Sequence, residues 1–269
     1  VKSILGSTIA NMALKDLEQG GVKTLFPSNY TNGCDSIEIN GLVWMGDIVF
    51  MQEQIATKIA NGYDCIKLKI GSLNFENEVS LLKEIRNKYP ADQLSIRLDA
   101  NGAFSPEESL SKLETLSKFN IHSLEQPIRA GNWKEMKRVC ANSPIPIALD
   151  EELIGVYSME EKTKLLETIR PQFLILKPSL LGGFKATESW INLAESLNIK
   201  WWITSALESN IGLNAIAQFT YITNNKMPQG LGTGSLYRNN IGDVDFLKSK
   251  HFFHQSFTLP SNIANTTSK

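Results

Sequence analysis

Short apolar runs rich in β-branched residues alternate along the chain with longer segments in which apolar residues recur every three or four positions. The first pattern is typical of buried β-strands and the second of amphipathic helices. Strands are predicted at 37–44, 65–70, 94–98, 121–124, 145–149, 173–176, 200–204 and, weakly, at 230–232. The predicted helices include 75–88, 106–118, 185–197 and 213–220.

Eight strand signals separated by helices predict an α/β fold with parallel strands joined by crossover connections. A closed (β/α)8-type barrel fits this count and the length of 269 residues. The alternative is an open doubly wound sheet. The absence of a Gly-x-Gly-x-x-Gly motif after the first strand is evidence against it. Two parts stand outside the repeat: 1–36, with a helix at 3–19 and a turn-rich connector at 26–36, and the tail after Tyr237. Both ends are predicted to lie against the barrel.

Composition narrows the function classes. The net charge is −1, and 42% of the residues are hydrophobic, which predicts a folded chain without the electrostatic signature of nucleic-acid or membrane binding. No apolar run reaches the roughly 18 residues that a membrane span needs. Three scattered cysteines indicate a reducing cytoplasm. Motifs of the His-Glu-x-x-His and Gly-x-Ser-x-Gly types are absent, so the chemistry must rest on Lys, Asp and Glu.

Charged residues stand at the ends of five consecutive predicted strands, about one βα unit apart. In a barrel, function collects at the carboxyl ends of the strands. One charge at a strand end is more often solvated or a helix cap, but five in phase predict a site on one rim. They are Lys69, Asp99, Glu125, Asp150 and Lys177.

The charges at this rim suggest a reaction type. The three carboxylates would raise one another's pKa, and a hard divalent cation would resolve the repulsion, with Mg²⁺ the first choice and Mn²⁺ the second. Lys67 and Lys69 are two apart and face the same way on a strand, whereas Lys177 lies four strands round the ring. Two amines around a metal-bound carboxylate predict removal of a proton α to that carboxylate. Glu151 and Glu152 are alternatives to Asp150 as a metal ligand.

These motifs resemble the enolase superfamily, in its muconate-lactonizing-like branch. The matching pieces are Lys67-Leu68-Lys69, Asp99-Ala100-Asn101, Glu125, Asp150-Glu151 and Lys177. The resemblance implies metal ligands Asp99, Glu125 and Asp150, catalytic Lys69 and Lys177, and a tuning role for Lys67. It also implies a TIM-like (β/α)7β barrel behind an N-terminal α+β capping domain. We therefore expect a cap remnant at 1–36, the barrel at 37–236 and a C-terminal segment at 237–269 that packs back on the cap. Because no methionine precedes Val1, we expect a piece of a longer or processed protein.

Within that branch, the chain is most similar to the o-succinylbenzoate synthase family of menaquinone biosynthesis. Segments 39–46, 97–102, 205–212 and 230–234 carry this likeness. It implies a lyase that dehydrates the small carboxylate 2-succinyl-6-hydroxy-2,4-cyclohexadiene-1-carboxylate. Lys69 would remove the α-proton and return a proton to the departing hydroxide, while Lys177 would act as a stabilising cation. The residues implied near the substrate carboxylates are Arg97, Asn101, Ser205 and Gly232.

Two alternatives remain at this stage. Dipeptide epimerases and N-acylamino-acid racemases use the same two lysines and metal, and those that bind a free ammonium group usually carry Asp-x-Asp at the eighth strand. Segment 230–237 has no acid, and we interpret Asp243-Val244-Asp245 as a surface sequence. In a different class, the barrel would be a non-catalytic binding protein, with the glycines of 230–234 around a phosphate. The oligomeric state is not predicted.

Overall fold

The computed structural model describes residues 2–234, 237, 240 and 249–254. Within them, seven strands, β2 to β8, form one parallel sheet in chain order. The strands are β1 Ser36–Glu38, β2 Gly41–Val43, β3 Cys65–Lys69, β4 Ser95–Asp99, β5 Ser123–Glu125, β6 Ile147–Leu149, β7 Phe173–Leu176, β8 Lys200–Ile203 and β9 His251–Phe253. The helices are α1 Lys2–Glu18, α2 Ile48–Ala60, α3 Phe75–Lys88, α4 Pro106–Ser117, α5 Trp133–Asn142, α6 Met159–Ile169, α7 Pro178–Leu181, α8 Phe184–Ser196 and α9 Asn210–Ile222. The predicted α/β barrel class is confirmed.

The sheet curls until its two edges meet at residues 229–230. Gly230 forms a parallel bridge with Thr204, just beyond β8, and Gln229 bridges Ile39, just before β2. The Gly230 amide donates to the carbonyl of Ile203 at 2.8 Å. The weak eighth strand is therefore reduced to a two-residue bridge. A Cβ on Gly230 would stand 2.2 Å from the Thr204 hydroxyl, so this approach requires glycine.

One predicted strand is wrong as a single element. Segment 37–44 contains the separate strands β1 and β2. β2 joins the barrel beside β3, whereas β1 pairs antiparallel with β9, with Ile37 opposite Phe252. The apolar pattern runs on through the segment, but the pairing partner changes, and a hydrophobic pattern does not record which partner a strand takes.

Alternation along the strands separates the core from the site. On β4, Ile96 and Leu98 are fully buried in the apolar layer shared with the helices, while Arg97 and Asp99 take the opposite face. A smaller apolar cluster contains Phe173, Trp202 and two neighbours. Helix α4 begins as predicted, with Pro106 in its first turn and a capping box between Ser105 and Glu108.

The chain ends pack on the barrel where they are described. Helix α1 contacts α7, and the side chain of Gln218 accepts hydrogen bonds from the amides of Leu25 and Phe26. Most of the predicted segment 237–269, including Asp243 and Asp245, lies outside the described residues. The proposed domain boundaries remain a prediction. Every described helix is too short or too polar to cross a membrane.

Candidate active site

Strand register places three of the predicted site residues side by side. Lys69 on β3 is the partner of Asp99 on β4, and Asp99 is the partner of Glu125 on β5. Asp150 follows directly after β6, and Lys177 follows directly after β7. Because parallel strands end at the same edge, all five residues stand at one rim of the barrel.

Lysines and carboxylates form a compact ion-pair network at this rim. The Nζ atom of Lys67 lies 2.6 Å from Glu125 Oε2 and 3.0 Å from Asp99 Oδ2. Lys69 Nζ lies 3.0 Å from the same Asp99 oxygen, while Lys177 donates to Asp150 Oδ2. The carboxylate side chains are at most 3% exposed and the lysine side chains at most 20%. The two lysines predicted to be catalytic thus hold different carboxylates of one buried cluster.

The pKa directions follow from burial and from these pairs. Burial and the nearby Asp99 charge raise the pKa of Glu125 well above its usual range, as like charges in close contact predict. Burial opposes ionisation of Asp99, but Lys67 and Lys69 outweigh it and lower the pKa of Asp99 to about 2. Burial likewise opposes the lysine charges, yet Glu125 and Asp99 raise the pKa of Lys67, and Asp150 and Glu125 raise that of Lys177. A lysine that acts as a base needs a lowered pKa, which is the opposite direction.

Three buried carboxylate oxygens at the rim have no hydrogen-bond partner among the described residues: Glu125 Oε1, Asp150 Oδ1 and Glu151 Oε2. The first two belong to predicted metal ligands and the third to the alternative ligand Glu151, and an orphaned buried carboxylate oxygen is what a cation would satisfy. The described residues contain no group of three His, Cys, Asp or Glu side chains arranged to hold a metal ion. Lys67 lies between two of the carboxylates instead. The donor chemistry therefore fits a hard cation, but the carboxylates are not assembled around a common point.

Asn101 connects Lys69 to a carboxylate that we expected only as an alternative ligand. Its Oδ1 accepts from Lys69 Nζ at 2.5 Å, and its Nδ2 donates to Glu151 Oε1 at 2.9 Å. Glu151 is thus tied to the Lys69 side of the rim, and burial together with Asp150 raises its pKa. Its neighbour Glu152 instead accepts from Gln126 Nε2 at 3.1 Å and from the Gly131 amide at 2.8 Å, which joins two loops.

Arg97 lies deeper in the barrel than the other predicted residues. It is 2% exposed, donates to the carbonyl of Pro228 at 2.7 Å and to Asn40 Oδ1 at 3.3 Å, and stacks on the ring of Trp202 at 3.9 Å. Both Asn40 and Trp202 line the cavity above it, whereas Arg97 does not. The structure therefore places Arg97 beneath the cavity floor.

A cavity of about 290 Å³ opens at the rim. Three lysines and three further predicted site residues are in its wall: Lys67, Lys69, Lys177, Asp99, Ser205 and Gly232. Trp44 and Leu180 also line it, and sequence reasoning assigned neither to the site, although Trp44 lies in the segment 39–46 that carries the family likeness. They carry no catalytic group, so only their place on neighbouring loops distinguishes them from ordinary packing residues.

A larger groove of about 940 Å³ lies at the opposite end of the strands. It borders the starts of β6, β7 and β8, and Arg170, Phe173 and Lys200 are among its residues. It contains none of the predicted site residues. Size alone does not identify a site, and the convergence of charged groups favours the smaller cavity.

A family model described as "Enolase C-terminal domain-like" matches residues 51–260. The o-succinylbenzoate synthase of Desulfotalea psychrophila is 56% identical over 230 residues, which cover 86% of this chain and 62% of that protein. The chain thus spans less than two thirds of that relative. The L-Ala-D/L-amino acid epimerase of a Maribacter species is 31% identical over 56% of this chain and 42% of its own length.

Solved structures show the same fold. MenC from Desulfotalea psychrophila superposes with a TM-score of 0.87 at 52% identity, over 92% of this chain and 68% of that one. The dipeptide epimerase of Enterococcus faecalis superposes with a TM-score of 0.79 over 93% of this chain and 72% of that one. At 19% identity, the second likeness supports the fold alone.

Proposed function

The chain belongs to the enolase C-terminal domain-like family, and from that premise we propose that it carries the catalytic barrel of an o-succinylbenzoate synthase. The resemblance to the enolase superfamily predicted from its motifs is thereby confirmed. The proposed reaction is the dehydration of 2-succinyl-6-hydroxy-2,4-cyclohexadiene-1-carboxylate to o-succinylbenzoate and water. The whole protein's activity stays a proposal because the chain spans only 62% of its 56%-identical relative.

The observation that carries the proposal is the presence of Lys69 and Lys177 in the wall of one cavity, on strands four positions apart. In the proposed reaction, neutral Lys69 takes the proton from the α-carbon of the substrate carboxylate. The same ammonium then gives a proton to the departing hydroxide, which leaves as water. Lys177 faces the other side of the ring and stabilises negative charge as a cation.

We propose that Asp99, Glu125 and Asp150 hold a divalent cation, Mg²⁺ before Mn²⁺. The two orphaned oxygens on Glu125 and Asp150 support this. The bound cation would stabilise negative charge on the substrate carboxylate while its α-carbon loses a proton. Its positive charge would also take the place of the lysine charges beside these carboxylates.

Asn101, Ser205, Gly232 and Arg97 are proposed to shape the substrate end of the site. Asn101 holds Lys69 in place, and Ser205 and Gly232 line the cavity. A Cβ on Gly232 would lie 3.4 Å from the Asn40 carbonyl, an ordinary van der Waals contact. Arg97 supports the floor through Asn40 and Trp202. We keep the cytoplasm as the proposed location.

Racemisation or epimerisation is the second candidate, because the same two lysines can serve as acid and base on opposite faces. The 31%-identical Maribacter relative is an epimerase of amino-acid derivatives, which supports testing it. The distinguishing feature is the residue set at the eighth strand, where the described part of 229–234 has no carboxylate.

A direct assay tests both reactions. Purified protein with Mg²⁺ is given the cyclohexadiene substrate and, in separate reactions in deuterium oxide, N-succinylamino acids and dipeptides. We expect rapid o-succinylbenzoate formation and at most slow exchange of the α-proton. Exchange without dehydration would establish the epimerase reading instead.

Lysine variants assign the roles. We expect Lys69→Ala and Lys177→Ala each to lower kcat by about 10³-fold or more while circular dichroism and melting stay normal, in line with the loss of a group acting directly on the substrate. Lys83→Ala, which changes an exposed lysine on α3, is the matched control. Turnover within a few-fold of wild type in either site variant would contradict the assignment.

A further inference from the structure

The loop after β8 is held together by one acceptor that the proposed chemistry does not use, Glu208. Ser205 Oγ donates to Glu208 Oε2 at 2.5 Å, and the Ala206 amide donates to the same oxygen at 2.9 Å. Ser205 Oγ in turn accepts from the Leu207 amide at 3.0 Å and from Thr233 Oγ1 at 2.7 Å. Three of the four contacts lie within the loop, and the fourth, from Thr233, joins the loop to the segment that follows the barrel closure.

Counting donors and acceptors shows what this network leaves for a substrate. A serine hydroxyl has one hydrogen and two acceptor positions. In Ser205 the hydrogen goes to Glu208, and both acceptor positions are used by Leu207 and Thr233. Ser205 therefore lines the cavity without a free hydrogen to give to a substrate carboxylate. The amides of Ala206 and Leu207 are likewise engaged within the loop.

Leu207 shows why the loop needs this support. Its φ is +70°, in the left-handed region, which a non-glycine residue adopts at a cost of about 1–3 kcal/mol. Its amide is held by Ser205, and Ser205 is oriented by Glu208. Without that acceptor, the hydrogen bonds from Ser205 Oγ and the Ala206 amide are lost, while the Leu207 carbonyl keeps its hydrogen bond from the Tyr237 hydroxyl. The positions of Ala206 and Leu207 in the cavity wall would then change.

We propose that Glu208 is a positioning residue that fixes the cavity wall formed by residues 205–207, an inference that rests on the proposed function of the cavity. Glu208 is not among the residues lining the cavity. By taking the Ser205 hydrogen, it makes this wall present Ala206 and Leu207 to the hydrocarbon part of the substrate. The anionic groups of the substrate then face the lysine side of the cavity.

A set of variants tests the inference: Glu208→Gln, the shorter acid Glu208→Asp, Ser205→Ala and the double variant Glu208→Gln with Ser205→Ala. Glu114→Gln, at an exposed position on α4, is the matched control. We expect Glu208→Gln to raise KM about tenfold, the loss typical of one hydrogen bond to a charged group, with kcat within about threefold. Ser205→Ala should raise KM similarly. Glu208→Asp, which keeps a carboxylate, should raise KM by less than Glu208→Gln does. The KM of the double variant should be no higher than that of the poorer single variant.

Two readouts do not depend on turnover. Binding of o-succinylbenzoate is followed by tryptophan fluorescence, since Trp44 and Trp202 line the cavity, and Kd should rise with KM. Amide exchange of the peptide that contains 205–208 should speed up in Glu208→Gln without any ligand. Melting temperatures identify a misfolded variant. If Glu208→Gln is misfolded, the KM and amide exchange of Glu208→Asp test the positioning role instead.

The outcomes separate the two hypotheses. A wild-type protein that neither dehydrates nor binds o-succinylbenzoate contradicts the proposed function, while faster amide exchange in Glu208→Gln still supports the role in the loop. Unchanged exchange together with unchanged KM in Glu208→Gln overturns the positioning role. A Ser205→Ala effect without a Glu208→Gln effect, or additive effects in the double variant, overturns it in favour of direct contact between Ser205 and substrate.

Discussion

Lys67 neutralises two buried carboxylates at once, so its replacement by methionine probes the charge balance of the site. Lys67 Nζ lies 3.0 Å from Asp99 Oδ2 and 2.6 Å from Glu125 Oε2. Methionine keeps much of the apolar stem but removes the ammonium group. The variant leaves both carboxylates in place with one cation fewer.

The size of the effect follows from these distances. At an effective dielectric constant of about 20, a unit charge 3.0 Å from another contributes about 5.5 kcal/mol, and one at 2.6 Å about 6.4 kcal/mol. Desolvation of the ions offsets several kcal/mol of each attraction. The Asp99 and Glu125 side chains are only 2% and 3% exposed, so water screens them little. Breaking such a buried pair typically costs about 3–5 kcal/mol, and we expect a loss of that size.

Urea unfolding at neutral pH, followed by circular dichroism, measures the loss. In EDTA, Lys67→Met should be about 3–5 kcal/mol less stable than wild type. Millimolar Mg²⁺ should recover a large part of this difference, because a cation bound by the same carboxylates supplies positive charge and stabilises the folded state by mass action. Lys83→Met, at an exposed lysine, should change stability by less than about 0.5 kcal/mol.

Two results would refute the reasoning. A loss below about 1 kcal/mol in EDTA would mean that Lys67 does not balance the carboxylates. A full loss that Mg²⁺ does not reduce would mean that these carboxylates do not bind the cation. The two results point to different errors, in the electrostatics and in the ligand assignment.

Three further predictions concern the ligand set, pH dependence and barrel closure. Asp150→Asn should weaken Mg²⁺ binding at least tenfold in calorimetry through the loss of ligand charge, and unchanged affinity would move the role to Glu151. Burial lowers the pKa of His122 to about 4, below the 6.5 of an unfolded histidine. The stability that the neutral ring contributes is therefore fully present above pH 6.5 and is lost as pH falls towards 4, by up to about 3 kcal/mol. Urea unfolding across this pH range should show the loss, and His122→Gln should not show it. Gly230→Ala puts a Cβ 2.2 Å from the facing threonine hydroxyl and should cost about 1–3 kcal/mol in unfolding experiments, whereas Gly6→Ala, in an open helical position, should be neutral or stabilising.

Much of the barrel could be predicted because its elements carry strong local patterns. Segments 75–88 and 173–176 agree with the helix and strand that form there, since one has a clear apolar face and the other a continuous buried run. The split of 37–44 and the bridge at Gly230 could not be predicted in the same way. Both depend on which distant segment lies alongside. At the closure, position 230 must be glycine because the side chain of Thr204 leaves no room for a Cβ.

The site divides along similar lines. The spacing of Lys69, Asp99, Glu125, Asp150 and Lys177 by about one βα unit placed all five at one rim, and strand register sets the first three side by side. Spacing could not show that Asn101 connects Lys69 to Glu151, because that contact depends on how two loops fold towards each other.

The amino-acid sequence by itself determined the order of strands and helices, the chemical character of the rim and the family likeness, because periodicity and residue type are local properties. Only the tertiary structure decided which charges pair, since Lys67 bridges Asp99 and Glu125 through space across three strands. It also decided which polar groups are left for a substrate. The family resemblance implied that Ser205 lies near the substrate carboxylates, but Glu208, Leu207 and Thr233 use all of its hydrogen bonds. The physical reason is that hydrogen bonds and ion pairs depend on distances of about 3 Å between groups that can be far apart along the chain.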